Sequence, residues 1–186
     1  MSAAFLYGYE PDALMRESTQ CASWGNLTLL QSDDAHRAQH PLADFWAMQM
    51  VTRDWAEPGL GAHRIYPAAS DALDGAGRQL VRVHAVRRPD GRLALLLLNL
   101  SPSQPFLARL TVRERGLTAP LAGPMQESQL SSADWAWTPA GRRGHPALDA
   151  PPRQTTLADG QAQPLTLPPY SVTVVREITA AAPANR

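Results

Sequence analysis

A single cysteine, Cys21, stands in 186 residues, which excludes an internal disulfide and leaves too few thiolates for a structural zinc site. Its ordinary reading is a small buried apolar residue. An excess of either charge is also missing: Lys plus Arg and Asp plus Glu are equal at 17 each, so there is no electrostatic footprint for nucleic acid or an anionic membrane surface. The longest apolar run, Leu93 to Leu98, falls far short of the ~20 residues a spanning helix needs. The start, Met1-Ser-Ala-Ala-Phe-Leu-Tyr-Gly, has neither the basic n-region nor the long apolar h-region of a secretory signal. A soluble chain is expected, with its compartment unassigned.

Enough apolar material is present for a real core: 44% of residues are hydrophobic and only 18% charged. The length suits one ordinary domain plus an appendage. Three zones differ in pattern. From Ala3 to Tyr9 an apolar, aromatic stretch meets Glu10-Pro11, which predicts a buried strand ending in a loop. From Pro41 to Trp55 the pattern is helical, with Pro41 suited to the first turn, Asp44 to the positive end and Arg53 to the negative end. Leu42, Phe45, Trp46, Gln49 and Met50 recur at helical spacing, and Met48, Val51 and Trp55 widen the apolar surface, so this helix is expected to be largely buried. It stops at Glu57-Pro58-Gly59-Leu60-Gly61.

Beyond Gly61 the period changes to two. Val81, Val83 and Ala85 share one face, and Arg82 and His84 occupy the other, which is expected to be solvated. A turn at Pro89-Asp90-Gly91 leads into Leu93 to Leu98, a continuous apolar run that predicts a central strand covered on both faces. Further strands are expected at 63–68, 106–113, 125–130, 135–137 and 171–177, the last entered through the extended Leu165-Thr-Leu-Pro-Pro-Tyr170. The Pro-, Gly- and Arg-rich stretch 138–163 reads as a long surface loop, and 179–186 as a frayed tail. Short strands between Pro/Gly turns without intervening helices indicate a mostly-β fold, an antiparallel β-sandwich.

Certain strings look familiar. Phe5-Leu-Tyr-Gly-Tyr-Glu-Pro11, Cys21-Ala-Ser-Trp-Gly-Asn26 and Met50-Val-Thr-Arg-Asp-Trp-Ala-Glu-Pro-Gly59 resemble the end of the barrel in clan A glycoside hydrolases related to family 39. Leu167-Pro-Pro-Tyr-Ser-Val-Thr-Val-Val-Arg176 is similar to the last strand of the sandwich that closes many such enzymes, arabinofuranosidases and xylosidases among them. The resemblance implies a retaining β/α barrel with catalytic glutamates on its fourth and seventh strands, and residues 3–9 would correspond to the eighth. Both glutamates would then precede Met1. The expected organisation is a barrel remnant over 1–57, a C-terminal sandwich over 58–178 and a disordered tail over 179–186. The expected role is an accessory, non-catalytic module that packs against the barrel. The rival reading is a free-standing carbohydrate-binding sandwich.

Retaining hydrolysis needs two carboxyl groups roughly 5–5.5 Å apart. Glu10, where a barrel strand would end, is the best sugar-facing candidate, but nothing in the sequence fixes its distance to Glu17. Tyr7, Tyr9 and Trp24 form either an aromatic platform under a sugar ring or part of a core. Trp46 and Trp55 are assigned to helix packing, and Trp135 and Trp137 to a sheet-to-barrel contact or an exposed binding ledge.

The five histidines show no HExxH spacing, Asp33-Asp34 lacks the further ligands of a calcium loop, and no G-x-S-x-G elbow frames a nucleophile. Gly75-Ala-Gly77 falls in a polar turn ahead of a strand and is no phosphate cradle. No metal or cofactor is expected. Asn26-Leu-Thr28 and Asn99-Leu-Ser101 match glycosylation acceptors, a pattern that also arises by chance.

Overall fold

The computed structural model describes residues 30–32, 38–59, 61–114, 117–134, 137–139, 145–146, 150–158 and 164–178. The expected strand over 3–9 and the tail over 179–186 lie outside them. Within them the chain is mostly β and its paired strands run antiparallel. β1 (Leu30–Ser32) and β2 (Ala38–Pro41) form a small ribbon. They are followed by α1 (Ala43–Gln49), which continues as a π-helical turn over Met50–Trp55. Pro41 therefore ends β2, one residue before the extended N-cap Leu42, and does not open the helix as expected.

The π-helical turn explains how Trp55 reaches the sheet. Ala43, Ala47 and Met50 lie four and three residues apart on one face, as in an α-helix, but the next buried residue is five further on. Widening the helix makes up the difference, and the Ala56 N–H bonds back to the Val51 carbonyl at 2.9 Å. The Trp55 indole N–H then donates to the carbonyl of His84, its ring edge-on to the imidazole with centroids 6.4 Å apart.

The main sheet has six strands. β3 (Arg64–Tyr66), β4 (Val81–Arg87), β5 (Leu93–Asn99), β9 (Met125–Leu130), β12 (Arg153–Leu157) and β14 (Ser171–Glu177) lie in the order β12-β9-β14-β5-β4-β3. The last strand in sequence thus takes a central place, between β5 and β9. Against this sheet lies β6 (Phe106–Ala108) paired with β13 (Leu165–Leu167), while β7 (Thr111–Glu114) and β8 (Leu117–Pro120) pair as a largely exposed hairpin. A short ribbon joins β10 (Trp137–Thr138) to β11 (His145–Pro146).

Each face of the sheet has its own core, and β5 supplies both. Ala94, Leu96 and Leu98 pack with Val172, Val174 and the helical residues Ala47, Met50 and Trp55. Leu93, Leu95 and Leu97 pack with Val81, Val175, Met125 and the second-layer Leu165 and Leu167. The unbroken apolar run of β5 thereby satisfies two layers at once, each fully buried leucine contributing about 1.5–3 kcal/mol relative to exposure. The hairpin before β5 closes as expected: the Gly91 N–H donates to the Arg88 carbonyl at 2.9 Å, and Gly91 takes φ of 80°, which a side chain rarely tolerates.

Three expectations are corrected. Arg82 and His84 are half-buried because their side of β4 also carries Val86, at 2% exposure, and lies under the helix instead of in water. The single strand expected over 106–113 divides at Arg109-Leu110, where the Leu110 carbonyl accepts from the Leu121 N–H; the part before it pairs with β13 and the part after it with β8. The stretch 138–163 is more than a loop, since it contains β11 and β12, the latter forming an edge of the main sheet.

Asn99, fully buried at the end of β5, ties three segments together. Its Nδ2 donates to the carbonyls of Gln104, Leu167 and Pro168 at 2.9, 3.0 and 2.8 Å, and its Oδ1 accepts from the Ser101 N–H at 2.9 Å. Beside it the Tyr170 N–H donates to the Ser101 carbonyl at 3.0 Å, holding Tyr170 at φ of 44°. The Asn99-Leu-Ser101 tripeptide is therefore committed to the fold, and a glycan on Asn99 is incompatible with this packing.

Candidate functional site

The inner face of a sandwich is ordinarily apolar, because a buried polar group costs free energy unless it is paired. On the Met125 side of β9 this rule is broken by Glu127 and Gln129, which alternate in step with Met125. Their neighbours across the ladder on β12 are Thr155 and Arg153, and on β14 they are Val175 and Thr173. The second layer ends here with β13. A groove of about 240 Å³ opens between them, its floor formed by Glu127, Gln129, Arg153 and Thr155 and its wall by Leu165 and Thr166.

Gln129 is 4% exposed and holds the floor to the wall: its Nε2 donates to the Thr166 carbonyl at 2.9 Å, to Thr173 Oγ1 at 3.1 Å and to Glu127 Oε1 at 3.1 Å. Burial pushes the Glu127 carboxyl above the ordinary carboxylate range, and the charge of Arg153 offsets this only in part. Arg153 is 58% exposed at its side chain and lies 3.8 Å from Asp134 Oδ1, a loose pair. The other Asp134 oxygen accepts from the Ser131 N–H and hydroxyl at 2.8 and 2.7 Å. The groove thus presents a protonatable carboxyl, a guanidinium and two threonines beside an apolar rim. Its lining contains one acidic side chain, so it does not supply the carboxyl pair of glycoside hydrolysis.

A second polar cluster bridges helix and sheet on the opposite face. The Ser128 hydroxyl lies 2.8 Å from Asp54 Oδ2 and 3.0 Å from Gln154 Oε1, and Arg88 reaches the Asp54 carbonyl at 3.5 Å. These groups lock the π-helical turn onto β9. At the far edge of the sheet Tyr66 lies beside two guanidiniums, with Arg87 the stronger influence and Arg64 the weaker, and both lower its phenol pKa.

The residues singled out in the sequence fare unequally. Tyr7, Tyr9, Glu10, Glu17, Trp24, Asp33, Asp34 and Trp135 lie outside the described residues. The backbone of Trp137 pairs with Pro146 in the β10–β11 ribbon. Trp55 packs in the helix-side core as expected, and Trp46 packs against it. His63 is an acceptor, taking the Glu57 N–H at its Nε2 at 3.0 Å. Among the described residues no group of three or more His, Cys, Asp or Glu converges as a metal site would require. Gly75 and Gly77 belong to a turn organised by Asp74, whose Oδ1 accepts from the Ala76 and Arg78 N–H groups at 2.9 Å each. Sequence reasoning missed Glu127, Gln129, Arg153, Thr155 and Thr166. The available signal was Gln-Glu-Ser-Gln between Met125 and Leu130, where polar residues occupy both faces of a strand.

No family model matches the chain. No curated protein matches it either. Among solved structures, a crystal structure of an arabinofuranosidase aligns with a TM-score of 0.39 and 12% identity, covering 72% of this chain and 28% of that one. The GH51 arabinofuranosidase from Xanthomonas axonopodis pv. citri aligns with a TM-score of 0.33 and 19% identity, covering 61% of this chain and 21% of that one. The chain spans less than a third of the length of either structure, and neither alignment assigns its fold or activity.

Proposed function

We propose that the chain is an accessory β-sandwich module of a glycoside hydrolase, which buttresses a catalytic β/α barrel and carries none of its catalytic glutamates. Residues 1–57 are then the end of that barrel and its packing helix, and 58–178 the sandwich. The proposal is made at the level of glycoside hydrolases and not of family 39. The observation that carries it is the second flank of the helical segment. Ala43, Ala47, Met50 and Trp55 are spent on the sheet, yet Phe45 and Met48 add apolar surface outside that core. Phe45 meets Trp46 edge-on at 5.1 Å. A helix apolar on two sides fits between two layers better than at a surface.

The resemblance of the quoted sequence strings supports reading the second layer as a sugar-cleaving barrel. Chromogenic aryl arabinofuranosides and xylosides test the catalytic part of the reading: the chain alone is expected to release no chromophore. Saturable turnover that vanishes in Glu10→Gln would instead make it a small enzyme.

A further inference from the structure

The groove between β9, β12 and β13 is not explained by an accessory role, since an apolar patch there would close the two layers more stably than Glu127 and Gln129 do. Its chemistry restricts the occupant. A small anion meets the Glu127 carboxyl, and a small cation meets the Arg153 guanidinium, so neither is favoured by the lining as a whole. A ligand whose neighbouring groups both donate and accept is favoured: it donates to the carboxyl and accepts from the guanidinium, two charge-assisted hydrogen bonds. Exposed Thr155 adds a hydroxyl that can serve in either sense, and the backbone of Thr166 borders the groove. Leu165, in the apolar core beside them, offers contact to C–H groups. The volume of about 240 Å³ is below the ~300–1,000 Å³ of clefts that hold drug-sized molecules, which limits the occupant to a single small ring.

We propose that this groove is a binding site for one neutral sugar ring, held between Glu127 and Arg153 with Thr155 and Thr166 beside it. The floor is preorganised, because Gln129 joins Glu127 to the β13 wall through bonds of 3.1 and 2.9 Å. The proposal does not rest on the accessory reading, and a module of either origin can carry such a site.

The full ¹⁵N-labelled chain is titrated separately with L-arabinose, D-xylose and D-glucose, and amide shifts are followed by NMR. At least one sugar is expected to produce a saturable shift centred on Glu127, Gln129, Thr155 and Thr166 at millimolar concentration. Arg153 is an exposed edge residue, so Arg153→Ala should keep the dispersed spectrum of the folded protein while weakening the shift about tenfold or more. Thr155→Tyr, which fills the groove from an exposed strand position, should abolish it. Sodium phosphate and tetramethylammonium chloride are the charged probes and should leave these amides unmoved. The proposal is overturned if no sugar gives a saturable shift at these amides, if the shift survives both substitutions, or if phosphate saturates the same amides in place of sugar. These outcomes are separate from aryl glycoside turnover, so failure here does not decide the accessory reading.

Discussion

Replacing Asn99 should be among the most damaging single changes outside the leucine core. Its amide has two hydrogens facing three carbonyls, those of Gln104, Leu167 and Pro168, so at least two full hydrogen bonds are lost in Asn99→Ala. The Ser101 N–H loses its acceptor as well. Leaving a buried group unsatisfied costs about 1–3 kcal/mol, and partial relaxation around a small cavity brings the sum to roughly 3–5 kcal/mol. That is a large share of the ~5–15 kcal/mol by which domains are stable. With a urea slope near 2 kcal/mol/M, the unfolding midpoint should fall by about 2 M.

Asn99→Asp adds a distinguishing signature. At neutral pH its carboxylate faces three carbonyl oxygens with no donor; on acidification the protonated acid regains one. The deficit of Asn99→Asp should therefore shrink as pH falls, while that of Asn99→Ala stays level. Urea unfolding followed by tryptophan fluorescence reads both. A midpoint for Asn99→Ala within about 0.3 M of the parent, or identical pH profiles for the two variants, would refute the role given to this amide.

Glu127 gives a second pH test. Its folded-state pKa is raised by burial, so as pH rises above the ordinary glutamate range the unfolded chain ionises first, and the folded state loses stability until the raised pKa is passed. Glu127→Gln should accordingly raise the thermal midpoint at pH 7 relative to the parent and leave it nearly unchanged below about pH 4. The two leucine environments should separate cleanly: Leu98→Ala, at 0% exposure between β4 and β14, should cost about 2–5 kcal/mol, and Leu107→Ala, at 71% exposure, less than about 0.5 kcal/mol by the same denaturant assay. If the second flank of the helix is a barrel-facing surface, the chain alone should bind a hydrophobic dye and self-associate, and Phe45→Ser with Met48→Ser should reduce both; a monodisperse, dye-silent parent would count against that surface.

Where burial is strong the sequence was readable. Leu93 to Leu98 indicated a strand with cores on both sides because no alternation survives when both faces are covered, and β9 and β14 fall where their runs placed them. The helix was readable from its spacing, but its π-helical turn was not, since no proline or glycine marks it and its cause is the reach of Trp55 to His84. β12 was hidden because Arg-Gln-Thr-Thr-Leu is an edge strand exposed along most of its length, so hydrophobic period carries no information there. The same physics concealed the groove. Its polar residues are brought together by the pairing of β9 with β12 and by the approach of β13, contacts between residues up to 37 positions apart. The aspect of Arg82 and His84 was misread for the opposite reason: two polar residues on alternate positions look solvated until a helix is laid over them.

The accessory reading is tested most directly by sequencing the coding nucleic acid through and upstream of the codon for Met1. The expected result is an open frame that continues upstream into a β/α barrel with two glutamates at strand ends. An in-frame stop immediately upstream, with a start signal at Met1, would contradict it and leave an independent sandwich whose function must be sought in its own surface, beginning with the groove beside Glu127.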